Sequence, residues 1–253
     1  MDVVRISVAV ASYNGEAYTR EQLDSILRNL TAQDEVVVSD DGSSDGTVPI
    51  IKEYQGGKIP VRLYEGPGRG IKQNIGAALS HCAGRYIFLA DQDDVWMENK
   101  VSRVMERLGR DGCKLVCHNA RVMDASLAEE KMPSFFAYRG SKPGFFPNLW
   151  KNRYMGCCMA FDRELLPLVL PIPEEIEMHD QWIGMINDAR GKNGVFLQDA
   201  LILYRRHSAN VSDFSHGTAW QMLRKRAVFL KAFLLRRAEL KRKGLWRNPA
   251  SLP

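Results

Sequence analysis

Short apolar runs alternate with segments of helical periodicity along the first 90 residues, and this alternation constrains the fold more than any other feature of the chain. Residues 3–11 are rich in Val and Ile and predict a strand buried on both faces, while apolar residues recur at helical spacing over residues 18–30. Further strands are predicted at residues 35–39, 61–64 and 85–90, and further helices at residues 47–54 and 71–80. This pattern predicts a Rossmann-like α/β fold, in which helices flank a mainly parallel sheet with right-handed crossovers.

The second half of the chain is less regular. Helices are predicted at residues 100–108 and 180–188, strands at residues 114–119 and 194–204, and an apolar run covers residues 156–161. Residues 131–150 are rich in Pro, Gly and Phe and predict an irregular loop over the functional site. A chain of 253 residues with 45% hydrophobic content can bury one large core. We therefore expect one domain over residues 1–217 and a tail over residues 218–253.

Basic residues concentrate in this tail. The net charge is +5, but residues 220–247 hold ten Lys or Arg and one acid, Glu239, which leaves 25 basic and 29 acidic residues elsewhere. An apolar stripe runs along a predicted tail helix at residues 218–243, formed by Trp220, Leu223, Ala227, Leu230, Leu234 and Leu235. A basic amphipathic helix is typical of proteins that lie on an anionic membrane surface. The alternative is packing on the domain or in a homodimer; nucleic acid is not an expected partner, because no interleaved aromatic pattern accompanies the charge.

The five cysteines lie inside apolar runs and are odd in number, unlike a disulfide framework or a paired zinc site. They predict reduced thiols and a cytoplasmic location. Neither a signal peptide nor a membrane-spanning run of about 18 apolar residues is predicted.

Three polar clusters follow predicted strands at the points where those strands end. SYNG follows the first strand, SDDGSSDGT follows the second, and DQDD follows the strand that ends at residue 90. Because the carboxyl ends of parallel strands meet at one edge of a sheet, these side chains are expected to converge there. The sequence therefore predicts a ligand site at this edge.

The third cluster places Asp91, Asp93 and Asp94 within four residues after a buried strand. Such carboxylates repel one another unless a cation lies between them, and hard oxygen ligands suit Mg or Mn. The alternative is that Asp93 or Asp94 caps the helix at residues 100–108. In the second cluster, Asp40 and Asp41 stabilise a turn, or one of them accepts a hydrogen bond from the ring NH of a pyrimidine base.

The ordered set of ASYNG, SDDGSSDGT, Asn74 in a basic helix start, and DQDDVW resembles glycosyltransferase family 2. The motifs span residues 11–96 in the order of that family. The resemblance implies a GT-A nucleotide-sugar-binding fold and sugar transfer with inversion at the anomeric centre. DQDDVW followed by Lys100, together with YRRH at residues 204–207, further resembles the bacterial rhamnosyltransferase-like branch, which builds cell-surface polysaccharides.

The resemblance places the donor nucleotide on these motifs. It implies that Tyr13 lies beside the base, that Asp91 faces the ribose or the metal, and that Asp93 is the principal ligand of a metal on the diphosphate. The other donor-binding residues that it implies are Ala11, Asn14, Asp40 or Asp41, Asn74, Gln92 and Arg206. Lys72 or Arg69 would stabilise the leaving nucleoside diphosphate, with a solvated helix face as the alternative.

An inverting transfer also needs a general base for the acceptor hydroxyl. The resemblance assigns Asp180, which follows the small-residue segment at residues 156–159; helix capping is the alternative role. The family often has an acidic residue directly before this Asp, and here that residue is His179. His207 is expected to close the metal site or contact the diphosphate, with Arg205 and Arg206 as further diphosphate partners.

The sequence thus predicts a metal-dependent glycosyltransferase that uses a dTDP-rhamnose or UDP-hexose donor and a glycan or lipid-linked acceptor at the inner face of the cell membrane. Two other classes stay open. A nucleotidyltransferase also sets carboxylates around Mg, but it normally has a Gly-rich loop after the first strand, which SYNGEAY lacks. A catalytically inactive nucleotide-sugar-binding protein would bind the donor without turnover.

Overall fold

The computed structural model describes residues 4–191, 194–208 and 218–246. Its strands are β1 Ile6–Ser12, β2 Glu35–Asp40, β3 Val61–Glu65, β4 Tyr86–Asp91, β5 Val95–Trp96, β6 Leu115–Met123, β7 Glu130–Met132, β8 Met159–Asp162 and β9 Val195–Arg205. Its α-helices are α1 Glu16–Leu27, α2 Thr47–Glu53, α3 Ile71–His81, α4 Lys100–Met105, α5 Phe135–Arg139, α6 Phe145–Trp150, α7 Leu166–Val169, α8 His179–Ala189 and α9 Ala219–Arg242. The predicted elements of the first 90 residues are confirmed to within a few residues at each end.

The described strands form one sheet in the order β3-β2-β1-β4-β8-β6-β9-β5, with β7 paired to β6. The first four strands of this order pair in parallel, and β1 and β2 are buried along their whole length. Strands covered on both faces carry continuous apolar runs, which is why Val and Ile dominate them. In register, Ser12 lies opposite Asp40 and Ala11 opposite Asp91, so the three polar clusters meet at one edge.

The other half of the sheet is mixed. Strand β8 runs antiparallel to both β4 and β6, β9 is parallel to β6, and the short β5 is antiparallel to β9. Pairing β5 with β9 brings the segment after DQDD beside the chain that leads to His207. The sequence carries no local signal for the direction of these long-range pairings.

The predicted irregular loop at residues 131–150 instead contains β7, α5 and α6. Helix α5 starts at the Ser134 side chain, which accepts a hydrogen bond from the Ala137 amide, and it ends at Gly140 with φ of 68°. Helices of five or six residues are too short to show apolar periodicity, and the Pro and Gly residues around them are typical of loops, so the sequence did not predict them.

Helix α9 packs one face on the domain. Phe229 contacts Trp182, Phe233 contacts Phe145, and Arg236 donates to the carbonyl oxygens of residues 167, 168 and 170. The stripe that the sequence singled out points away from the domain, because Trp220, Leu223, Leu230, Leu234 and Leu235 are exposed. Position 247 of the predicted tail and residues 248–253 lie outside the described part of the chain.

Among the described residues, no helix combines the length and the apolar character that a bilayer span requires. All five cysteines are buried and free.

Candidate active site

Gln92 fixes the loop that follows β1. The amide of Tyr13 donates to Gln92 Oε1 at 2.7 Å, and Gln92 Nε2 donates back to the carbonyl oxygen of Tyr13 at 2.7 Å. A Cβ at Gly15 would lie 2.3 Å from the Gln92 side chain, so this clamp requires glycine there. The Tyr13 ring, 57% exposed, is thereby presented at the wall of a cavity.

The loop after β1 is also bonded to the loop after β2. Asn14 has a positive φ of 47°, a conformation that Asn tolerates better than most residues. Its amide donates to Ser43 Oγ and its Oδ1 accepts from the Ser44 amide, both at 2.8 Å. The predicted convergence of the strand-end loops is therefore present as a hydrogen-bonded network.

The two adjacent acids Asp40 and Asp41 have different surroundings. Asp40 is buried, and its carboxylate accepts from the Ser12 hydroxyl at 2.8 Å and from both the amide and the hydroxyl of Ser43. Asp41 lines the cavity and accepts from two glycine amides of the loop before α3, each at 2.7 Å. Of these two acids, the geometry favours Asp41 as the one that meets a ligand.

An acidic cluster lies at the end of β4. One potential ligand atom from each of Asp91, Asp94 and Cys157 lies within 4.8 Å of the others. Asp94 is fully buried, and within the described chain its Oδ2 has no hydrogen-bond partner. Burial and the nearby charges of Asp93 and Asp180 raise the pKa of Asp91 to about 7, and burial raises the pKa of Asp94. An orphaned oxygen among mutually repelling carboxylates fits a divalent cation.

Lys100 is a buried counter-charge beneath this cluster. Its Nζ donates to the carbonyl oxygen of Cys157 at 2.9 Å and lies 3.7 Å from the centroid of the Trp96 ring. Burial lowers the pKa of Lys100 to about 8, while the charges of Asp91 and Asp94 oppose the fall. The ammonium therefore stays largely protonated at neutral pH and offsets part of the repulsion among the acids.

Asp93 and His207 meet directly. Asp93 Oδ2 lies 2.8 Å from His207 Nε2, and both side chains are nearly buried. The His207 ring stacks on Tyr18 with 4.7 Å between ring centroids. The structure thus brings together two residues that the sequence assigned to one metal site from opposite ends of the domain.

Arg205 has a different place from the predicted one. Its Nε donates to the carbonyl oxygen of Asp93 at 2.8 Å, its amide donates to Asp94 Oδ1 at 3.1 Å, and its guanidinium also bonds Glu21. Arg205 is 4% exposed. It therefore anchors the DQDD loop to β9 rather than presenting its charge to a diphosphate.

Asp180 is buried in the first turn of α8 and lines the same cavity. The N-cap position of the helix is Met178, so Asp180 is not the N-cap residue, although its carboxylate accepts from one amide of the first turn. Asp180 Oδ1 accepts from Asn152 Nδ2 at 2.9 Å and from the Gln181 amide at 2.6 Å, which leaves Oδ2 without a hydrogen bond from the described residues. Burial raises the pKa of Asp180, a shift that favours a carboxylate in the role of proton acceptor.

His179 packs beside the base candidate. Its Nε2 would lie 2.7 Å from a Cβ at Gly156, so the small-residue segment makes room for the imidazole. Burial lowers the pKa of His179, and the positive charge of Lys72 adds to the effect. The position before Asp180 therefore carries a neutral ring.

One cavity of about 1400 Å³ is lined by Asp41, Asp91, Asp93, Asp180 and His207 together with residues from both halves of the sheet and from the helices. We call its two sides the strand-end half, from residues 11–18, 41, 68–74, 91–93 and 207, and the helical half, from residues 135–157, 177–181 and 222–229. Sites for one small molecule typically enclose about 300–1000 Å³. This volume has room for two substrates.

Most of the site residues that the sequence predicted line this cavity, namely Ala11, Tyr13, Asn14, Asp41, Asn74, Asp91, Gln92, Asp93, Asp180 and His207. The structure places Asp40, Lys72 and Arg206 outside its lining. Lys72 Nζ donates instead to the carbonyl oxygens of Glu174 and Ile176, because the first turn of α3 packs against that segment. The Arg206 amide donates to the carbonyl oxygen of residue 123, and its side chain bonds Tyr204.

Several other residues that contribute to the site have no signature in the sequence. Neither the burial of Lys100 nor the bond from Asn152 to Asp180 has a local signature. Met222 and Arg226 of α9 also line the cavity, although the sequence predicts them in the tail.

The sheet, its flanking helices and the strand-end site define the GT-A class of nucleotide-sugar-binding proteins. The sequence profile of Glycosyl transferase family 2 matches residues 7–168, which is more than half of the chain. The chain belongs to this family and is a glycosyltransferase.

Individual proteins agree with this assignment. The chain is 27% identical over 192 residues to UDP-Glc:alpha-D-GlcNAc-diphosphoundecaprenol beta-1,3-glucosyltransferase WfgD of Escherichia coli, covering 74% of this chain and 72% of that protein. It is similar to S. aureus TarS in complex with UDP-GlcNAc, with a TM-score of 0.70, 18% identity and coverage of 92% and 72%. It also resembles the mannosyltransferase PcManGT from Pyrobaculum calidifontis in complex with GDP-Man and Mn²⁺, with a TM-score of 0.62, 17% identity and coverage of 94% and 75%. The structural likenesses confirm the predicted GT-A fold.

Proposed function

We propose that this chain is an inverting, metal-dependent glycosyltransferase that moves a sugar from a nucleoside diphosphate donor to a glycan or lipid-linked acceptor. One observation carries the proposal. The buried carboxylate of Asp180, with its free Oδ2, opens onto the same cavity as the strand-end carboxylates of Asp91 and Asp93. A proton acceptor and a site for an anionic leaving group are the two parts that an inverting transfer requires.

The donor nucleotide occupies the strand-end half. The base lies against the Tyr13 ring, and Asp41 accepts the ring NH that uracil and thymine both carry. A UDP-hexose and dTDP-rhamnose therefore both fit, and the motif resemblance favours the rhamnosyl donor. The UDP-GlcNAc bound by TarS and the GDP-Man bound by PcManGT support a nucleoside diphosphate sugar as the donor class.

Asp91, Asp93 and His207 are the residues that would hold a divalent cation, either Mg²⁺ or Mn²⁺. Bound there, such a cation neutralises charge that develops on the diphosphate as it leaves. The orphaned Oδ2 of the neighbouring Asp94 and the Mn²⁺ of PcManGT support a divalent cation in this cluster. Lys100 lies beneath the cluster, where its ammonium offsets part of the repulsion among the acids.

Asp180 takes the proton from the acceptor hydroxyl as that oxygen attacks the anomeric carbon. The bond between this carbon and the diphosphate oxygen breaks, and its electron pair leaves with the nucleoside diphosphate. Asn152 orients the carboxylate through Oδ1, which leaves Oδ2 for the proton. The raised pKa of Asp180 makes it a stronger base than an exposed carboxylate.

We further propose that the outer face of α9 lies on the cytoplasmic surface of the membrane. Its exposed apolar residues are Trp220, Leu223, Leu230 and Leu234, and exposed Arg224, Lys231 and Lys241 accompany them. This combination favours an anionic lipid surface. A lipid-linked acceptor, such as the one in the name of WfgD, would be met there.

A donor screen tests the proposed activity. Purified full-length protein is incubated with Mn²⁺ and a panel of UDP-, dTDP- and GDP-sugars, and nucleoside diphosphate release is measured. We expect release from one donor class, loss of release with EDTA, and recovery when Mn²⁺ is restored. Asp93→Ala should lower release at least about 100-fold, because the principal metal ligand is gone. Donor binding without release under every condition would instead indicate an inactive binding protein.

A further inference from the structure

Four basic side chains line the helical half of the cavity: Arg139 of α5, Lys151 after α6, and Lys225 and Arg226 of α9. Lys225 forms an ion pair with Glu177. Among the described residues, Arg139, Lys151 and Arg226 form no ion pair with any carboxylate. Cations that share a cavity without an ion pair to a carboxylate repel one another, and an anionic ligand would reduce that repulsion.

The backbone of residues 150–152 connects these cations to the base. Arg226 Nη2 donates to the carbonyl oxygen of Trp150, and Arg139 Nε donates to the carbonyl oxygen of Asn152 at 3.1 Å. Asn152 Nδ2 in turn donates to Asp180 Oδ1 at 2.9 Å. The cations therefore border the place where the acceptor hydroxyl meets its base.

The cationic side chains are held in position, but their hydrogen-bond donors are not all satisfied. The Arg226 guanidinium lies 4.8 Å from the centroid of the Trp150 ring, and its buried Nε has no acceptor among the described residues. Partial burial and the charges of Arg139 and Arg153 lower the pKa of Lys151, which reflects the cost of keeping these charges together. A guanidinium of fixed geometry beside an ammonium suits phosphate oxygens.

We propose that Arg139, Lys151 and Arg226 form a subsite for the phosphate groups of a lipid-phosphate-linked acceptor whose sugar hydroxyl lies at Asp180. This inference rests on the proposed function. The donor diphosphate is the other source of phosphate, but its place is in the strand-end half, whereas these cations come from α5, residue 151 and α9. Asn152 contacts both Arg139 and Asp180, so the phosphate subsite lies close to the base. The glycan between the acceptor phosphate and the reacting hydroxyl is therefore short. The substrate must then come from a reaction that attaches a sugar phosphate to a lipid phosphate.

Matched acceptors test the subsite. A panel of monosaccharides is prepared as decyl diphosphates and as uncharged decyl glycosides, and transfer is measured with the full chain, Mn²⁺ and the donor that the screen identifies. The wild-type KM should be at least about tenfold lower for the diphosphate of the accepted sugar. Lys151→Ala should raise the KM for the diphosphate acceptor about tenfold, because one charge-assisted contact is lost. It should leave the glycoside KM and donor hydrolysis unchanged, while Lys151→Arg retains the wild-type KM.

Lys231→Ala is the matched control, since Lys231 is exposed on the outer face of α9 and is not a cavity residue. It should weaken binding to anionic vesicles and leave both acceptor KM values unchanged. The subsite is refuted if Lys151→Ala alters both acceptors equally or neither. It is also refuted if Lys151→Ala weakens vesicle binding as Lys231→Ala does while the diphosphate KM stays constant, because the cations would then serve lipid headgroups.

Failure of the proposed function is a separate result. It would appear as no nucleoside diphosphate release by the wild-type protein from any donor. Calorimetric titration of decyl diphosphate into the full chain still tests the subsite in that case. We expect binding that Lys151→Ala weakens about tenfold, and equal binding by both proteins would overturn the proposal.

Discussion

The two halves of the cavity differ in charge and in how the chain builds them. The strand-end half carries the acids Asp41, Asp91 and Asp93 and comes mainly from loops that directly follow β1, β2 and β4. The helical half is gathered from residues 135–229 and carries Arg139, Lys151 and Arg226, which form no ion pair with the described carboxylates. The contrast suggests a division of labour, in which one half binds a donor through a metal and the other binds a phosphate-bearing acceptor directly.

The halves also differ in their internal bonding. Reciprocal hydrogen bonds join Gln92 to Tyr13 and Asn14 to the loop after β2, so the strand-end half is pre-formed. In the helical half, long side chains of Arg139 and Arg226 reach main-chain carbonyl oxygens. Single side chains from α5 and α9 therefore tie this half to residues 150 and 152.

The largest expected effect is on the pH dependence of the transfer rate, which depends on Asp180 and on the nearby cation Arg139. Asp180 must be ionised to accept a proton, and burial raises its pKa, so activity should fail at a higher pH than the value of about 3.9 typical of an exposed Asp. At pH values below the pKa of Asp180, the acid limb of the pH–rate profile, the transfer rate should fall about tenfold per pH unit. Because the charge of Arg139 lowers the pKa of Asp180, Arg139→Gln should move the limb to still higher pH.

The profile is measured with a saturating uncharged acceptor, and donor binding is followed separately at each pH. An acid limb that does not move in Arg139→Gln would mean that the cations of the helical half act independently of the base.

A smaller effect concerns the outer face of α9. Leu230→Ser with Leu234→Ser removes apolar surface that is exposed and leaves the packed face at Phe229 and Phe233 intact. We expect roughly a tenfold loss of binding to anionic vesicles, with unchanged thermal stability and unchanged transfer to short acceptors in solution. Vesicle co-sedimentation measures the first quantity. If the double variant instead has a lower melting temperature, or dissociates from an oligomer, this face makes protein contacts.

The sequence predicted the strand-end half well because its determinants are local. An apolar run sets β1, and the polar residues directly after it must lie at the sheet edge where Ala11, Tyr13 and Asn14 are found. Lys72 shows the limit of this reasoning. Its position in a helix start was correct, but which neighbour its ammonium reaches depends on the segment at residues 174–176, far away in the chain.

The helical half could not be predicted because it depends on long-range packing. The apolar stripe over residues 220–235 left membrane binding and packing both open, whereas the side chains of α9 that pack on the domain are Phe229, Ala232, Phe233 and Leu240. Both faces of this helix are partly apolar, and periodicity cannot tell which one meets the domain. Lys100 likewise follows a motif, and nothing nearby in sequence indicates that it is buried beneath two carboxylates.

The most direct test of the account is donor binding and transfer measured side by side in Asp180→Asn. This substitution keeps the shape of the side chain and removes the proton acceptor while leaving Asp91 and Asp93 in place. We predict a donor dissociation constant in Mn²⁺ within about twofold of wild type and transfer slowed at least about 1000-fold. Parallel loss of donor binding and transfer, or transfer at the wild-type rate, would contradict the assignment of Asp180 as the base that faces a separate donor site.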